Sequence, residues 1–222
     1  MPDRRLFYDT IADEYDRVMS HYELNKRIHL IFEQLLPDTL TGKRVLDMGC
    51  GTGWFTHELI KRGGEVVSSD IGHQLLLATR TKTAESSLVV NSLEALGFVD
   101  ACFDIVLCTE VIEHTPNPRQ AVAELMRVLK PGGILVLTVP NRVWRFSVAV
   151  ADKLGIRPYK GFENWVGWNE LEQWIEQENG QLESKIGFNL FPLFYRPFYP
   201  VLDLADRYQR FHPWMVNIGV RV

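Results

Sequence analysis

The stretch Val45-Leu46-Asp47-Met48-Gly49-Cys50-Gly51-Thr52-Gly53 decides the fold of this chain. It begins as a short apolar strand, closes on an acidic residue, and then places glycines at alternate positions before a helical pattern. Glycines suit such a turn because the backbone bends sharply and a ligand approaches where a Cβ would collide. The positive end of the following helix faces that ligand. We therefore predict a ligand-binding loop at the carboxyl end of a parallel strand.

Strands and helices alternate on both sides of this loop. Helices are predicted from about 54 to 62 and from about 73 to 83. A third begins at Pro118, where Asn117 is the N-cap with Gln120 three residues later, and ends at the turn 131–133. Further strands are predicted at 65–69, 88–90, 103–108, 134–139, 182–190 and 215–222. This rhythm indicates an α/β fold with a doubly wound, mostly parallel sheet of seven strands.

The flanking segments are predicted to be helical. Residues 1–40 form an N-terminal helical cap, with apolar positions at helical spacing near its end. Residues 143–155 are predicted to form an amphipathic helix, and Asn169 with Glu172 is expected to cap another that ends at Asn179-Gly180. Neither an internal repeat nor a linker is visible, so 1–222 is interpreted as one domain.

Composition excludes several classes of protein. The chain has 222 residues, and 24 Lys and Arg against 28 Asp and Glu give a formal charge of −4, so nucleic acid is not expected as a partner. Three cysteines without a CxxC pair predict neither a disulfide framework nor a zinc site. The longest apolar run, 134–139, is too short for a membrane span, and no signal peptide is visible at the start. A cytoplasmic protein is expected.

Asp70 and Trp54 narrow the choice of ligand. Asp70 ends the second strand, 19 positions after Gly51, where a carboxylate can accept both hydroxyls of a ribose. Trp54 stands where a dinucleotide-binding loop needs its third glycine, which argues against a tightly seated pyrophosphate. A nucleoside ligand without a phosphate fits this pattern better.

Five segments, in order and at the right spacing, resemble the motifs of class I S-adenosylmethionine-dependent methyltransferases, which have a Rossmann-like fold. They are VLDMGCGTGWFT from Val45, SSDIG from Ser68, SLEALGF from Ser92, FDIVLCTEVIEH from Phe103 and LKPGGILVLTVPN from Leu129.

The resemblance implies S-adenosylmethionine as the cofactor and assigns parts of it to particular residues. Ser92 stands where many relatives carry Asp, which leaves its side-chain contact to the adenine amine open. The implied contacts are Asp47, Gly49, Cys50, Gly51 and Gly53 to the methionine part, Asp70 to the ribose, Ile71, Ser92 and Leu93 to the adenine, Thr109 and Glu110 below the methionine, and Tyr15 as a lid or a core tyrosine.

Glu110, Glu113 and His114 form the one constellation that can carry the chemistry. On a helical turn, positions i, i+3 and i+4 converge on one face. His114 can take a proton from a hydroxyl acceptor, because neutral imidazole is abundant at pH 7. Alternatively, the three side chains hold a divalent cation, as the similar EVIEH segment of ubiquinone-pathway O-methyltransferases implies. A third reading gives Glu113 and His114 only a structural role, as a cap on the loop below the cofactor.

Aromatic residues are concentrated near the end of the chain. Residues 188–214 hold nine aromatics in 27 positions, against 11% for the whole chain, and Phe162, Trp165, Trp168 and Trp174 form a second group. In this superfamily the segments corresponding to 142–168 and 190–213 build the acceptor pocket, and aromatic walls suit an apolar or planar molecule. The alternatives are a covered core with a dimer interface, or docking on a membrane surface through the rings and cation of 195–199.

These observations predict a methyltransferase that acts on a small apolar or aromatic acceptor, at oxygen rather than nitrogen. The predicted partner is a small-molecule acceptor, and no nucleic acid is expected. No transmembrane segment is expected, and peripheral contact with a membrane is left open. The protein is expected to be a monomer or a homodimer. Two alternatives from other classes stay open: a nicotinamide-dependent reductase on a similar sheet, and a non-catalytic protein that retains the cofactor fold.

Overall fold

A seven-stranded mixed sheet forms the centre of the computed structural model, which describes residues 6–153, 163–189, 199–201, 203–204 and 213–222. The strand order is 3-2-1-4-5-7-6. The strands are β1 Arg44–Met48, β2 Glu65–Asp70, β3 Ser87–Val90, β4 Phe103–Thr109, β5 Leu129–Pro140, β6 Ser184–Phe188 and β7 Asn217–Arg221.

Strands β1 to β5 are parallel, and β7 is antiparallel to both β5 and β6. The strand order reverses at β1, which pairs with β2 on one side and β4 on the other. At such a switch point the connections leave in opposite directions and open a crevice at the carboxyl ends of the strands. The predicted fold class is confirmed, and the glycine loop lies at this switch point.

Helices cover both faces of the sheet. Neighbouring residues of one strand, such as Leu46 and Val45, belong to different apolar clusters because a strand points successive side chains to opposite faces. One cluster includes residues of α5 and α7, and the other includes residues of α2 and α3. The helices are α1 Ala12–Val18, α2 His21–Leu30, α3 Trp54–Lys61, α4 His73–Lys82, α5 Pro118–Val128, α6 Arg145–Lys153 and α7 Glu170–Gln177.

The ends of two predicted helices need correction. Asn117 caps α5 as predicted, accepting from the Gln120 amide at 3.2 Å, but the helix ends at Val128, before the turn 131–133. That turn lies inside β5, where the register against β4 shifts. Helix α7 begins after Asn169 without a bond from its side chain, because Asn169 has a helical backbone conformation instead of the extended one of a typical N-cap.

The N-terminal cap is helical as predicted, with α1, α2 and a π-helical turn at Ile31–Leu35. Side chains from this cap fasten it to the sheet domain. The Asp9 carboxylate accepts from the amides of Gln74 and Leu75, at 2.6 and 3.2 Å, so it supplies the N-terminal cap that α4 lacks.

The predicted amphipathic helix at 143–155 corresponds to a 3₁₀ turn at Arg142–Trp144 followed by α6. Its expected apolar positions Val143 and Phe146 are exposed, and Leu154 lies outside the described residues. Across the described part of the chain, no helix combines the length and the apolar character that a membrane span requires.

Candidate active site

A cavity of about 760 Å³ opens at the carboxyl ends of β1, β2 and β4. We distinguish two sides of it. The glycine-loop side comprises residues 49–52, 70–72 and 92–94. The carboxylate side comprises Glu23, Arg27, Glu110, Glu113, His114 and Asn217.

The glycine-loop side is built largely from backbone. The amides of Gly49 and Cys50 donate to the Ser69 carbonyl, at 2.7 and 3.1 Å, which ties the loop to the end of β2. Gly49 and Gly51 have φ of +75° and +54°, in the left-handed region that favours glycine. A Cβ on Gly49 would lie 2.2 Å from Val111 Cγ2, whereas a Cβ on Gly51 would meet only Tyr15, at 3.9 Å. Gly49 is therefore required for packing, and Gly51 leaves the loop open towards the cavity.

Asp70 is held by the loop that it faces. Its Oδ2 accepts from the Gly51 amide at 3.0 Å, and its Oδ1 accepts from the Gly72 amide at 2.8 Å. Burial raises the pKa of Asp70, and these two bonds oppose the shift. The carboxylate thus has a fixed position at the end of β2, beside the open face of Gly51.

Asp47 and Gly53 do not line the cavity. Asp47 lies behind the loop, where the Thr56 hydroxyl donates to its Oδ2 at 2.6 Å. Burial, reinforced by the charge of Asp70, raises the pKa of Asp47 to about 7. Gly53 packs against Thr79, and a Cβ there would lie 2.9 Å from Thr79 Cγ2. Both residues shape the loop from below.

The other predicted cofactor contacts all line the cavity: Tyr15, Cys50, Ile71, Ser92, Leu93, Thr109 and Glu110. Burial raises the pKa of the Cys50 and Cys108 thiols well above the ordinary value, so both are neutral packing residues. Burial also raises the pKa of Tyr15.

Hydrogen bonds to Asp16 hold helix α1 against the glycine loop. The Asp16 carboxylate accepts from the Thr52 hydroxyl, at 2.5 Å, and from the Trp54 indole nitrogen, at 3.0 Å. Lys82 of α4 donates to the same carboxylate and to the Thr52 carbonyl. Trp54, which stands in place of a third glycine, therefore helps to position α1, and with it Tyr15, over the loop.

On the carboxylate side, Glu110 has an unusual backbone. Its φ is +54°, uncommon for a residue other than glycine. The Glu110 amide donates to the Thr138 carbonyl at 2.9 Å, and its Oε2 accepts from Asn217 Nδ2 at 2.8 Å. Its Oε1 is buried without a hydrogen bond, 3.8 Å from Arg27 Nε. Strained backbone of this kind is frequent at functional sites.

The predicted helical turn over Glu110, Glu113 and His114 is wrong in detail. Only Ile112–His114 is helical, as a 3₁₀ turn, and Glu110 precedes it with its left-handed backbone. The three side chains nevertheless line the same cavity. Among the residues with described positions, no group of three or more His, Cys, Asp and Glu is arranged to hold a metal ion.

Glu113 and His114 lie close together at the wall of the cavity. His114 Nε2 is 3.8 Å from Glu113 Oε1 and 3.4 Å from the Tyr8 hydroxyl. Glu113 is 2% exposed, and burial together with the charge of Glu110 raises its pKa well above the ordinary value. Burial thus favours the protonated form of Glu113 beside His114.

Of the predicted pocket aromatics that the structure describes, one lines the cavity. Trp165 lines the cavity, since Asn164 anchors its segment by bonds to the carbonyls of Glu113, at 2.7 Å, and Thr115, at 2.6 Å. Within 188–214, the described aromatics Phe188, Tyr199 and Trp214 do not line it; the other six lie outside the described residues. Trp168 and Trp174 pack against the core, and Phe162 also lies outside.

Sequence reasoning missed Tyr8, Glu23, Arg27 and Asn217, which all line the cavity. Glu23 and Arg27 are four residues apart on α2, so helical spacing alone places them on one face. Burial raises the pKa of Glu23 to about 7, although the charge of Arg27 opposes the shift. No local pattern marks Tyr8 or Asn217, because they reach the cavity only through the folding of distant segments.

Comparisons with known proteins agree with this geometry. A family model described as a methyltransferase domain matches residues 46–137. Ubiquinone biosynthesis O-methyltransferases are similar in sequence: the protein from Hahella chejuensis is 33% identical over 165 residues, 69% of each chain, and that from Nitrosococcus oceani is 34% identical over 167 residues, 70% of each chain.

Solved structures share the fold at lower identity. The methyltransferase in a complex with the Haloferax volcanii Trm112 activator has a TM-score of 0.69 and 18% identity, with 97% of each chain covered. An S-adenosylmethionine-dependent methyltransferase from Mesorhizobium loti has a TM-score of 0.66 and 16% identity, covering 87% of this chain and 96% of that one.

The site residues fit the cofactor that such relatives use. A nucleoside can approach the open face of Gly51, the fixed Asp70 carboxylate lies beside it, and the cavity is large enough for a cofactor and a small acceptor. The fold, the site and relatives above 30% identity over more than two thirds of their length lead to one conclusion. The chain belongs to the class I S-adenosylmethionine-dependent methyltransferase superfamily, and S-adenosylmethionine is its cofactor.

Proposed function

We propose that this methyltransferase acts on a hydroxyl group of a small, apolar or aromatic acceptor. The observation that carries the proposal is the continuity of the cavity, which joins the glycine-loop side to the carboxylate side. Trp165, Leu24 and Val216 add apolar wall to that cavity. The O-methyltransferase activity in the names of the sequence relatives supports oxygen as the methylated atom.

The glycine-loop side is proposed to hold the cofactor. Bound S-adenosylmethionine supplies an electrophilic methyl group on a sulfonium. The methionine part is proposed to contact the backbone of Gly49, Cys50 and Gly51, together with Thr109 and Glu110. The ribose is proposed to contact Asp70, and the adenine Ile71, Ser92 and Leu93. Tyr15 is proposed to cover the cofactor, and Asp47 and Gly53 support the loop from below.

On the carboxylate side, His114 is proposed to remove the proton of the acceptor hydroxyl. The imidazole lines the cavity, and Tyr8 and Glu113 fix its position from two directions. Burial raises the pKa of Glu113 and so favours its protonated form, which can donate a hydrogen bond, and Glu110 supplies a carboxylate held by Asn217. Positioning and exclusion of water can supply much of the remaining acceleration.

The reductase alternative is not favoured, since the chain belongs to a methyltransferase superfamily. Calorimetry with S-adenosylmethionine and its demethylated product tests the cofactor contacts. Asp70→Ala is expected to lower the affinity about 100-fold, because it removes the carboxylate that is proposed to accept hydrogen bonds from both ribose hydroxyls. Asp13→Ala, an exposed aspartate on α1, is the control. Unchanged affinity in Asp70→Ala would contradict the proposed role of this residue.

The acceptor and the base need a separate experiment. A metabolite extract is incubated with the protein and isotope-labelled cofactor, and mass spectrometry identifies the compound that gains a labelled methyl on oxygen. With that compound, His114→Ala should lower turnover about 100-fold, the usual contribution of a general base, and leave cofactor affinity unchanged. Equal loss of turnover and affinity would indicate a structural role for His114, and no labelled product would support a non-catalytic protein.

A further inference from the structure

Glu23 lines the cavity, and within the described chain its carboxylate forms neither a hydrogen bond nor an ion pair. Arg27 follows one helical turn later on α2, but its Nε lies 3.8 Å from Glu110 Oε1 instead. The Glu23 amide donates to the Ser20 hydroxyl at the start of α2, which fixes the backbone that carries this carboxylate. A largely buried carboxylate without a partner calls for a donor that a ligand supplies.

The carboxylate oxygens of Glu23 are open to such a donor. Glu110 and Glu113 each have one oxygen that is completely buried without a hydrogen bond, whereas neither oxygen of Glu23 is buried to that extent. Burial still raises the pKa of Glu23 to about 7, and the charges of Arg27 and Lys26 oppose the shift. The charge of Glu110, at the end of β4, reinforces it. The protein alone therefore stabilises the ionised form of Glu23 poorly, and a positive charge on a ligand would stabilise it.

Acidic residues outnumber basic ones in the lining of the cavity. Among the described residues that line it, Arg27 is the one lysine or arginine, against seven aspartates and glutamates. Two of these, Asp9 and Asp70, already accept hydrogen bonds from backbone amides, whereas Glu23 does not. Trp165 adds an aromatic ring to the wall, and aromatic faces attract ammonium groups. An acceptor with a positive charge therefore suits this lining better than an anionic one.

We propose that Glu23 binds an ammonium group of the acceptor, so that the substrates are small hydroxylated amines that are methylated on oxygen. This inference rests on the proposed function and adds a charged group to its acceptor. The Glu23 carboxylate forms no covalent bond; it holds the ammonium end while the hydroxyl end reaches His114.

The ion pair also directs the methyl group to oxygen. A protonated amine has no free electron pair, so its nitrogen cannot attack the methyl group of the cofactor. At the other end of the acceptor, the hydroxyl proton moves to the His114 imidazole. The oxygen keeps the electron pair, which forms the bond to the methyl carbon as the carbon–sulfur bond breaks.

Tyramine and tyrosol form a matched pair of probes for this site. Both carry a phenol, and at the other end tyramine has an ammonium group where tyrosol has a hydroxyl of nearly the same size. Calorimetry at pH 8 measures their binding to the protein loaded with demethylated cofactor. The wild type should bind tyramine at least about tenfold more tightly than tyrosol, because hydrogen bonds between charged groups are about twice as strong as neutral ones. Glu23→Gln should make the two affinities nearly equal.

Proton release provides a readout that a structural role of Glu23 would not produce. At pH 6.5 the amine of tyramine is protonated, and Glu23 in the empty site is largely protonated as well, since its pKa is about 7. Binding of tyramine should therefore expel about half a proton or more, which calorimetry in buffers of different ionisation enthalpy measures. Tyrosol on the wild type, and tyramine on Glu23→Gln, should expel almost none.

Glu14→Gln is the control, because it removes a carboxylate that lies outside the cavity on the neighbouring helix α1. Glu14 is exposed and pairs with Arg17 at 3.0 Å, and its removal should leave both affinities unchanged. Burial disfavours the charge of Glu23, so Glu23→Gln should not destabilise the fold, which denaturant unfolding measures. Glu23→Asp keeps the charge and should retain part of the preference for tyramine.

Several results would overturn the inference. They are equal affinities of the wild type for the two probes, no binding of either probe, and an unchanged preference for tyramine in Glu23→Gln. A loss of cofactor affinity in folded Glu23→Gln would also overturn it, because Glu23 would then contact the cofactor instead of the acceptor.

The labelled-extract experiment separates this inference from the proposed function. The labelled product should carry a positive charge and bind to a cation exchanger at pH 7. An O-methylated product that is not retained would contradict the inference and leave the proposed function intact. Absence of any labelled product would contradict the proposed function itself.

Discussion

The two sides of the cavity are built by different means. The glycine-loop side consists of backbone turns and one fixed carboxylate, all supplied by segments that lie close together between residues 47 and 94. The carboxylate side consists of side chains from α2, the end of β4 and β7, separated by up to about two hundred positions of sequence.

This difference has a functional meaning. Backbone amides leave little room for change, so a loop built from them suits a ligand shared by a whole superfamily. Side chains from several elements can be exchanged one at a time without disturbing the sheet, which suits an acceptor that differs between relatives. Changes on the glycine-loop side should therefore lower cofactor affinity, whereas changes on the carboxylate side should lower turnover and leave cofactor affinity unchanged.

The largest loss of stability is expected for Gly49→Ala. The new Cβ would lie 2.2 Å from Val111 in a backbone with φ +75°. We therefore expect the free energy of unfolding to fall by at least about 3 kcal/mol, and cofactor affinity to fall as well. The control is Gly42→Ala, where φ is +72° and nothing lies within 4 Å; strain alone should cost about 1 kcal/mol. Denaturant unfolding measures both, and equal costs would contradict a clash at Gly49.

The next prediction concerns Asp47 and the pH dependence of the free energy of unfolding. An unfolded aspartate loses its proton near pH 4, whereas Asp47 in the folded protein keeps it until about pH 7. The folded state binds more protons in this window, so the free energy of unfolding falls as pH rises through it. Asp47→Asn should remove this fall and stabilise the protein above pH 7 by on the order of 4 kcal/mol.

Asp104→Asn is the control for Asp47→Asn, because the pKa of Asp104 is shifted in the opposite direction. The Arg44 amide, at 2.9 Å, and then Lys130 lower the pKa of Asp104, so Asp104→Asn should slightly lower stability at neutral pH. Denaturant unfolding of the cofactor-free protein from pH 4 to pH 8 compares the two variants. A pH profile of Asp47→Asn parallel to that of the wild type would show that Asp47 is ionised in the folded protein.

The smallest effect is expected on the carboxylate side. Asn217→Ala leaves Glu110 Oε2 without its donor, which should lower the free energy of unfolding by about 2 kcal/mol and reduce turnover. Cofactor affinity, measured by calorimetry, should stay within about twofold of the wild type. Asn169→Ala, which removes an exposed amide outside the cavity, should have no effect above about 0.5 kcal/mol. A large loss of cofactor affinity in Asn217→Ala would remove the distinction between the two sides.

The difference between the sides also explains what could be predicted from the sequence. The alternation of strands and helices, the glycine loop and the α5 cap depend on residues within one element or at its ends, and short-range spacing carries that information. The cap predicted at Asn169 is wrong because Gly167 instead donates its amide to Glu170 Oε2, at 3.0 Å, and Asn169 takes a helical conformation.

Arg27 and Asn217 could not be predicted as site residues for a different reason. Each carries no motif, and each reaches the cavity because an entire helix or strand packs against the end of β4. The helical turn assumed for 110–114 fails because the Glu110 backbone turns left-handed where β4 ends, and spacing alone does not reveal such a conformation.

The position of β7 has a consequence for how the protein is made. This strand occupies an interior place in the sheet, between β5 and β6, and contributes Asn217 to the cavity. During translation, the residues from β1 to β5 leave the ribosome first and can already assemble the glycine loop. The nascent chain cannot fix Glu110 or close the sheet until residue 217 has emerged. Cofactor binding can therefore precede a finished acceptor site, and a bound cofactor would stabilise the unfinished sheet while the last strand is awaited.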